Sequence, residues 1–196
     1  AGLHEEHVTA HFGREVATVR VGRDSMVVTL DDGQRLEADA TLAAYGTIPA
    51  SGWATGVDEG IAVDDRLRAA NLPGVYAAGS VAVHTARNRH RYRVDHWDAA
   101  TAQGSHAART LLHDLGRGED PGPYVPSTGF TLILYRHAIA AYGVALPGAI
   151  QRQHLTGNPD AILTTFHDPA DQAQTAAVGL AAGRELLALR RQLQRP

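Results

Sequence analysis

Histidine, arginine and carboxylate are the side chains with which this 196-residue chain could do chemistry, because it contains no cysteine. Without a thiol there is no disulfide framework, no thiolate zinc site and no cysteine-ligated iron–sulfur cluster, so any electron chemistry has to use a bound organic cofactor. His4 and His7 stand three apart with no third ligand, and His84, His106, His113, His137, His154 and His167 follow no ligand spacing. No metal site is expected. Arg87, Arg89, Arg91 and Arg93, interleaved with His90 and Tyr92, form the one local basic patch, suited to a phosphate, to an acidic partner, or to nothing beyond a solvated loop. Asp95-His96-Trp97 reads as a helix start, with Asp95 as N-cap and Trp97 packed beneath the helix. Dinucleotide binding needs a strand, a GxGxxG turn and a helix whose first amides face the pyrophosphate. None of the twenty glycines belongs to such a motif, and Gly179 to Gly183 has the wrong spacing.

The elements that must position these residues follow from the pattern. Glu15 to Val21 and Met26 to Leu30 are rich in β-branched residues, and Asp31-Asp32-Gly33 is a turn leading to Arg35-Leu36, so residues 8–36 read as an antiparallel meander. Ala38 to Gly46 and Gly74 to Gly79 are apolar runs ending on glycine, the pattern of central strands in an α/β sheet. Trp97, Ala100, Ala107, Ala108, Leu111 and Leu112 recur at helical spacing, which predicts one long helix from Asp95 to about Gly116. Residues 116–126 hold three glycines and three prolines, the composition of a linker. Beyond it, Thr131 to Tyr135, Ala138 to Val144, Ala161 to Phe166 and Thr175 to Gly179 are strand-like, and Gly183 to Gln194 is a charged amphipathic helix, together a small α+β unit.

Composition excludes some classes. The formal net charge is −3 and the pI about 6.4, a balance that argues against a nucleic-acid protein. All eighteen basic residues are arginine, an expected trace of a GC-rich coding sequence. No stretch reaches the roughly 18 apolar residues of a membrane span, and the N-terminus has no signal-peptide pattern. A cytoplasmic protein is expected.

The order of several short motifs carries a resemblance. Leu30-Asp31-Asp32-Gly33, Ala38-Asp39, Gly60-Ile61-Ala62-Val63-Asp64, Leu67-Arg68, Pro73 to Gly79, Val94 to Trp97, Ala100, Gln103-Gly104 and Ala107-Ala108-Arg109 resemble FAD-dependent NAD(P)H:ferredoxin and rubredoxin reductases of the apoptosis-inducing-factor type, within the pyridine-nucleotide-disulfide oxidoreductase superfamily. The resemblance implies an α/β fold: a partial doubly wound FAD/NAD(P)-binding domain followed by a small α+β C-terminal interface domain. It assigns residues 1–37 to the end of the NAD(P)-binding domain, 38–115 to the second half of the FAD-binding domain, 116–126 to a linker and 127–196 to the interface domain. It also implies hydride transfer from NAD(P)H to flavin, then electron transfer to an iron–sulfur partner. Gly79, Ser80, Val81, Asp95, His96, Trp97 and Ala100 are the positions it places beside FAD or the nicotinamide. Such reductases carry aspartate where this chain has Ser80, accepting a hydrogen bond from the ribityl chain, and glutamate where it has Asp95. The segment after Tyr124 also departs from the family's pattern, and both glycine-rich fingerprints would precede Ala1.

Two readings stay open. The chain is part of an FAD-dependent oxidoreductase, inactive until the missing N-terminal half is supplied; or it is a cofactor-free accessory or interaction subunit on a degenerate reductase scaffold. FAD is expected in the first and no cofactor in the chain alone. Either way a half-domain leaves apolar sheet uncovered, so a homodimer or a complex through Leu42, Ala44, Val75 and Ala77 is expected.

Overall fold

The computed structural model describes residues 8–56, 59–127, 129–134 and 137–193. His4, His7, Tyr135 and Gln194 lie outside them. The chain divides into two compact units, 1–46 and 47–196.

The first unit is the predicted meander. Strands β1 (Val16–Val21), β2 (Met26–Leu30) and β3 (Arg35–Ala38) pair antiparallel in the order β1-β2-β3. Gly33, at φ 86°, closes the turn between β2 and β3, and Asp32 accepts the Gln34 amide at 2.9 Å. This is what an Asp-Gly pair does: the aspartate mimics a backbone acceptor and the glycine takes the left-handed conformation. The apolar run after β3 departs from expectation. Residues 39–46 form no strand, and Leu42 is 90% exposed. Tyr45 is exposed too. An apolar run becomes a strand only against hydrogen-bonding neighbours, and among the described residues it has none.

In the second unit, the short helix α1 (Gly52–Thr55) leads to β4 (Ile61–Ala62), β5 (Ala82–Thr85) and β6 (Arg91–Tyr92). β4 and β5 are parallel and β6 is antiparallel to β5. Gly74 to Gly79 is not a central strand either: Arg68 and Tyr76 form an isolated bridge, and Ala77 is buried in a core with Ile61, Val63, Leu67, Ala82 and Tyr124. The dimer surface expected around Val75 and Ala77 is therefore covered by the chain itself, with Val75 packed against that core.

Helix α2 (Trp97–Asp114) is the predicted long helix. It ends as its glycine requires. Gly116, at φ 66°, donates to the His113 carbonyl, and the Arg117 amide donates to that of Leu112, a Schellman closure. Its buried side, however, is Ala99, Gln103, His106, Ala107 and Thr110, while Trp97, Ala108, Leu111 and Leu112 are exposed. The packed stripe is offset from the expected apolar one, and two of its polar members find partners inside: Gln103 holds Gly79, and His106 Nε2 donates to the Gly122 carbonyl at 3.1 Å.

Residues 116–126 are docked rather than loose. Arg66 pairs with Asp120, the Tyr124 amide donates to the Asp65 carbonyl, and the Tyr124 side chain is buried. Then β7 (Gly129–Leu134), β8 (His137–Gly143), β9 (Ile150–His154), β10 (Ile162–His167) and β11 (Gln174–Leu180) build an antiparallel sheet in the order β7-β8-β11-β10-β9. Helix α3 (Gly183–Leu189) and a 3-10 turn (Arg190–Gln192) follow, with Leu186 closing a core on Leu163, Ala177 and Ala182. Between β9 and β10, the buried Thr165 hydroxyl lies 2.7 Å from His154 Nε2 and 2.8 Å from His167 Nε2. Because the Gln172 carbonyl 3.0 Å from His167 Nδ1 can only accept, neutral His167 is protonated at Nδ1 and takes the Thr165 proton at Nε2.

Candidate functional site

Gly79 begins a 3-10 turn (Gly79–Val81) that lies against α2. It is buried at φ 81°, and a Cβ there would meet the Ala100 methyl at 3.2 Å. Glycine is thus required twice, by the left-handed backbone and by the approach of the helix. Gln103, fully buried, accepts the Gly79 amide through Oε1 at 2.8 Å, and its Nε2 has no partner among the described residues.

The turn carries Ser80 to Asp95. Ser80 Oγ donates to Asp95 Oδ1 at 2.7 Å, and the Thr47 hydroxyl donates to Asp95 Oδ2. Arg93 spans the same cluster, donating to the Ser80 carbonyl at 2.8 Å and the Thr47 carbonyl at 3.0 Å. The Thr47 and Ser80 hydroxyls hold the Asp95 carboxyl below the ordinary carboxylate range against the opposing effect of burial, and the Arg93 charge adds to them. The result is an ionised carboxylate whose two hydroxyl partners have spent their protons on it. Their lone pairs remain available to accept.

Asp95 is accordingly not the N-cap. His96 takes that place, its Nδ1 accepting the Asp98 amide at 3.3 Å. Trp97, expected to pack beneath the helix, is 83% exposed on its first turn. Val81 is half-buried against the core. The structure therefore brings Gly79, Ser80, Asp95 and Ala100 together, sets His96 at the helix start and turns Trp97 outward. Thr47 and Arg93 complete the cluster but carry no sequence signal for it, since Thr47 is forty-eight positions from the carboxylate it serves. Gln103 is buried on the helix stripe that also bears Ala99, and that spacing was the available clue.

A cavity of about 400 Å³ opens beside the cluster, lined by Arg93, Asp95 and His96 with the apolar Val94, Ala99 and Phe130 among others. The His96 and Phe130 rings lie 6.0 Å apart across a tilted contact. The rest of the basic patch disperses: Arg87 pairs with Asp171, Arg91 is on β6, and Arg89 sits at φ 65° in a turn. Among the described residues no cluster of histidine and carboxylate could hold a metal ion, and no helix is long and apolar enough to cross a membrane.

Comparison with known proteins gives this geometry a lineage. The family model described as pyridine nucleotide-disulphide oxidoreductase matches residues 1–104, more than half of the chain. Apoptosis-inducing factor 3 of Mus musculus is 33% identical over 115 residues, which cover 54% of this chain and 19% of that protein. Its Homo sapiens counterpart is 32% identical over 94 residues, 43% of this chain and 15% of that one. The crystal structure of Fdr9 has 31% identity and a TM-score of 0.73, over 90% of this chain and 44% of that one. Putidaredoxin reductase, in its covalent complex with putidaredoxin, shares the fold at a TM-score of 0.75 and 21% identity, over 97% of this chain and 46% of its own. The chain thus spans at most a fifth of these curated relatives and less than half of these solved structures. Its mixed α/β architecture and its motifs make it a member of the pyridine nucleotide-disulphide oxidoreductase family.

Proposed function

We propose that this chain supplies the ring-and-ribityl side of the flavin site in an FAD-dependent NAD(P)H oxidoreductase of the ferredoxin-reductase type, with an iron–sulfur protein as electron acceptor. The observation that carries the reading is the Ser80–Asp95 pair at the start of α2, beside an apolar cavity. The residues present fit that end of the cofactor. Ser80 Oγ, its proton committed to Asp95, is an acceptor for a sugar-alcohol hydroxyl, so a carboxylate two bonds away stands in for the aspartate missing at position 80. The cavity is lined mainly by apolar groups, as a flat ring system prefers. Bound there, FAD would take hydride from a reduced nicotinamide and release electrons singly. Gly79, Ser80, Val81, Asp95, His96 and Ala100 would bind and orient it, and Trp97, projecting from the first turn, would lie on the nicotinamide side.

No GxGxxG occurs among these residues, so a phosphate cradle has to be contributed by other polypeptide. The domain assignments given above belong to this proposal, with 38–115 as flavin-domain chain and 127–196 as interface domain. The test is direct. The purified chain alone should show no NAD(P)H oxidation with ferricyanide, whereas joined to a GxGxxG-bearing half of an Fdr9-like reductase it should retain yellow flavin and turn over. Activity in the chain alone, or a colourless, inactive joined protein, would overturn the reading.

The alternative, an interaction subunit without cofactor, draws support from exposed apolar groups in each unit: Leu42 and Tyr45 in the first, Ile48, Trp53 and Trp97 in the second. In that case the chain alone should sediment as a dimer or larger assembly and the joined protein should stay colourless.

A further inference from the structure

We propose that the cleft between Ser127 and the C-terminal helical segment binds a small phosphorylated molecule. The cleft has a volume of about 740 Å³ and is lined by Ser127, Arg184, Leu187, Ala188, Arg190 and Arg191. That volume is in the range of small-ligand sites. Among the described residues, three of the six that line it are arginine and none is acidic, in a protein whose net charge is −3. The concentration of one sign in a concave surface raises the local potential for anions.

Arg190 is already fixed. Its Nε donates to the Ser127 carbonyl at 3.0 Å, and its guanidinium carbon lies 5.2 Å from the centroid of the Tyr142 ring. Among the described residues both contacts leave the two terminal nitrogens available to form a fork, with the side-chain entropy already lost in holding them. Arg184 and Arg191 make no ion pair or hydrogen bond among the described residues, so their donors face water until an anion arrives. A phosphoryl group, with three acceptor oxygens and a charge of roughly −1.5 to −2, matches three guanidinium forks better than a single carboxylate does. Leu187, 55% exposed at the same surface, and Ala188 give the organic part of the ester an apolar shelf. The ligand class is therefore a phosphate monoester with a compact apolar body.

The test uses the full chain without flavin, so its outcome is independent of the flavin reading. Phenyl phosphate, titrated by calorimetry at about 0.15 M salt, should bind saturably with one site per chain. R184Q combined with R191Q should weaken it about tenfold or more, as expected for two charge-assisted contacts, with an unchanged melting temperature. Leu187→Ser should weaken phenyl phosphate while leaving inorganic phosphate unaffected. Absence of saturable binding, equal binding in the double variant, or binding of polyglutamate but not of phenyl phosphate would each overturn the proposal.

Discussion

Gly79 shows how much of a site can depend on a missing side chain. Its sequence pattern reads as the end of a central strand, where the structure has a 3-10 turn instead, and its neighbour Ser80 reads as a departure from an expected aspartate whose meaning no local pattern gives. A serine reads as a loss of charge until Asp95, fifteen residues on, is found to accept its hydrogen bond. That contact depends on a turn conformation and a helix approach that no local pattern encodes, and the same holds for Arg87 and Asp171, eighty-four positions apart. Gly79→Ala should cost about 1–2 kcal/mol from the left-handed backbone alone, with a further loss as the new methyl presses on Ala100 at 3.2 Å. Denaturant unfolding measures it. A stability equal to that of the parent would show that the turn relaxes freely and that the Ser80–Asp95 contact is not held by it.

At the scale of elements, periodicity located α2 and its glycine located the end, yet the side that packs was misjudged. The apolar residues mark the helical spacing, whereas the buried stripe also uses threonine, and glutamine and histidine whose partners come from distant chain. The strands of the C-terminal sheet were legible from β-branched and apolar runs, except β9, whose five exposed residues Ile150–His154 include two glutamines and an arginine. Leu67 belongs to an element no pattern announced. It is fully buried at φ 66°, in a loop where Asp64 Oδ1 accepts the amides of Arg66 and Arg68. The carboxylate turn forces the backbone into a region leucine disfavours, and burial of the side chain offsets that strain. Leu67→Ala should destabilise by about 2–5 kcal/mol, read as a lowered denaturation midpoint with an unchanged slope. A loss below about 1 kcal/mol would mean that the core around Ile61 and Ala77 closes over the gap.

For the molecule as a whole, acid is the expected weak point. Burial holds the His106 imidazole below its ordinary value of 6.5, with its bond to the Gly122 carbonyl opposing the effect. The unfolded chain therefore binds that proton more readily, and stability falls as pH drops below 6.5 toward the folded value. Further down, Arg66 lowers Asp120 from 3.8 to about 2, and Arg68 with Tyr76 lowers Asp114 further, so their contribution is lost as pH falls below 3.8. Thermal midpoints should decline in two stages, and His106→Gln, which keeps an amide donor for Gly122, should flatten the first. A first stage of equal size in that variant would assign it to another histidine. The two carboxylates that flank α2 have a mechanical reading as well. Asp95 ties its beginning to Thr47 and Ser80, and Asp114 ties its end to Arg68 and Tyr76. Eighteen helical residues measure about 27 Å, so the helix works as a strut of fixed length, keeping two distant loops of the preceding chain at a set spacing and carrying any load placed on one of them to the other.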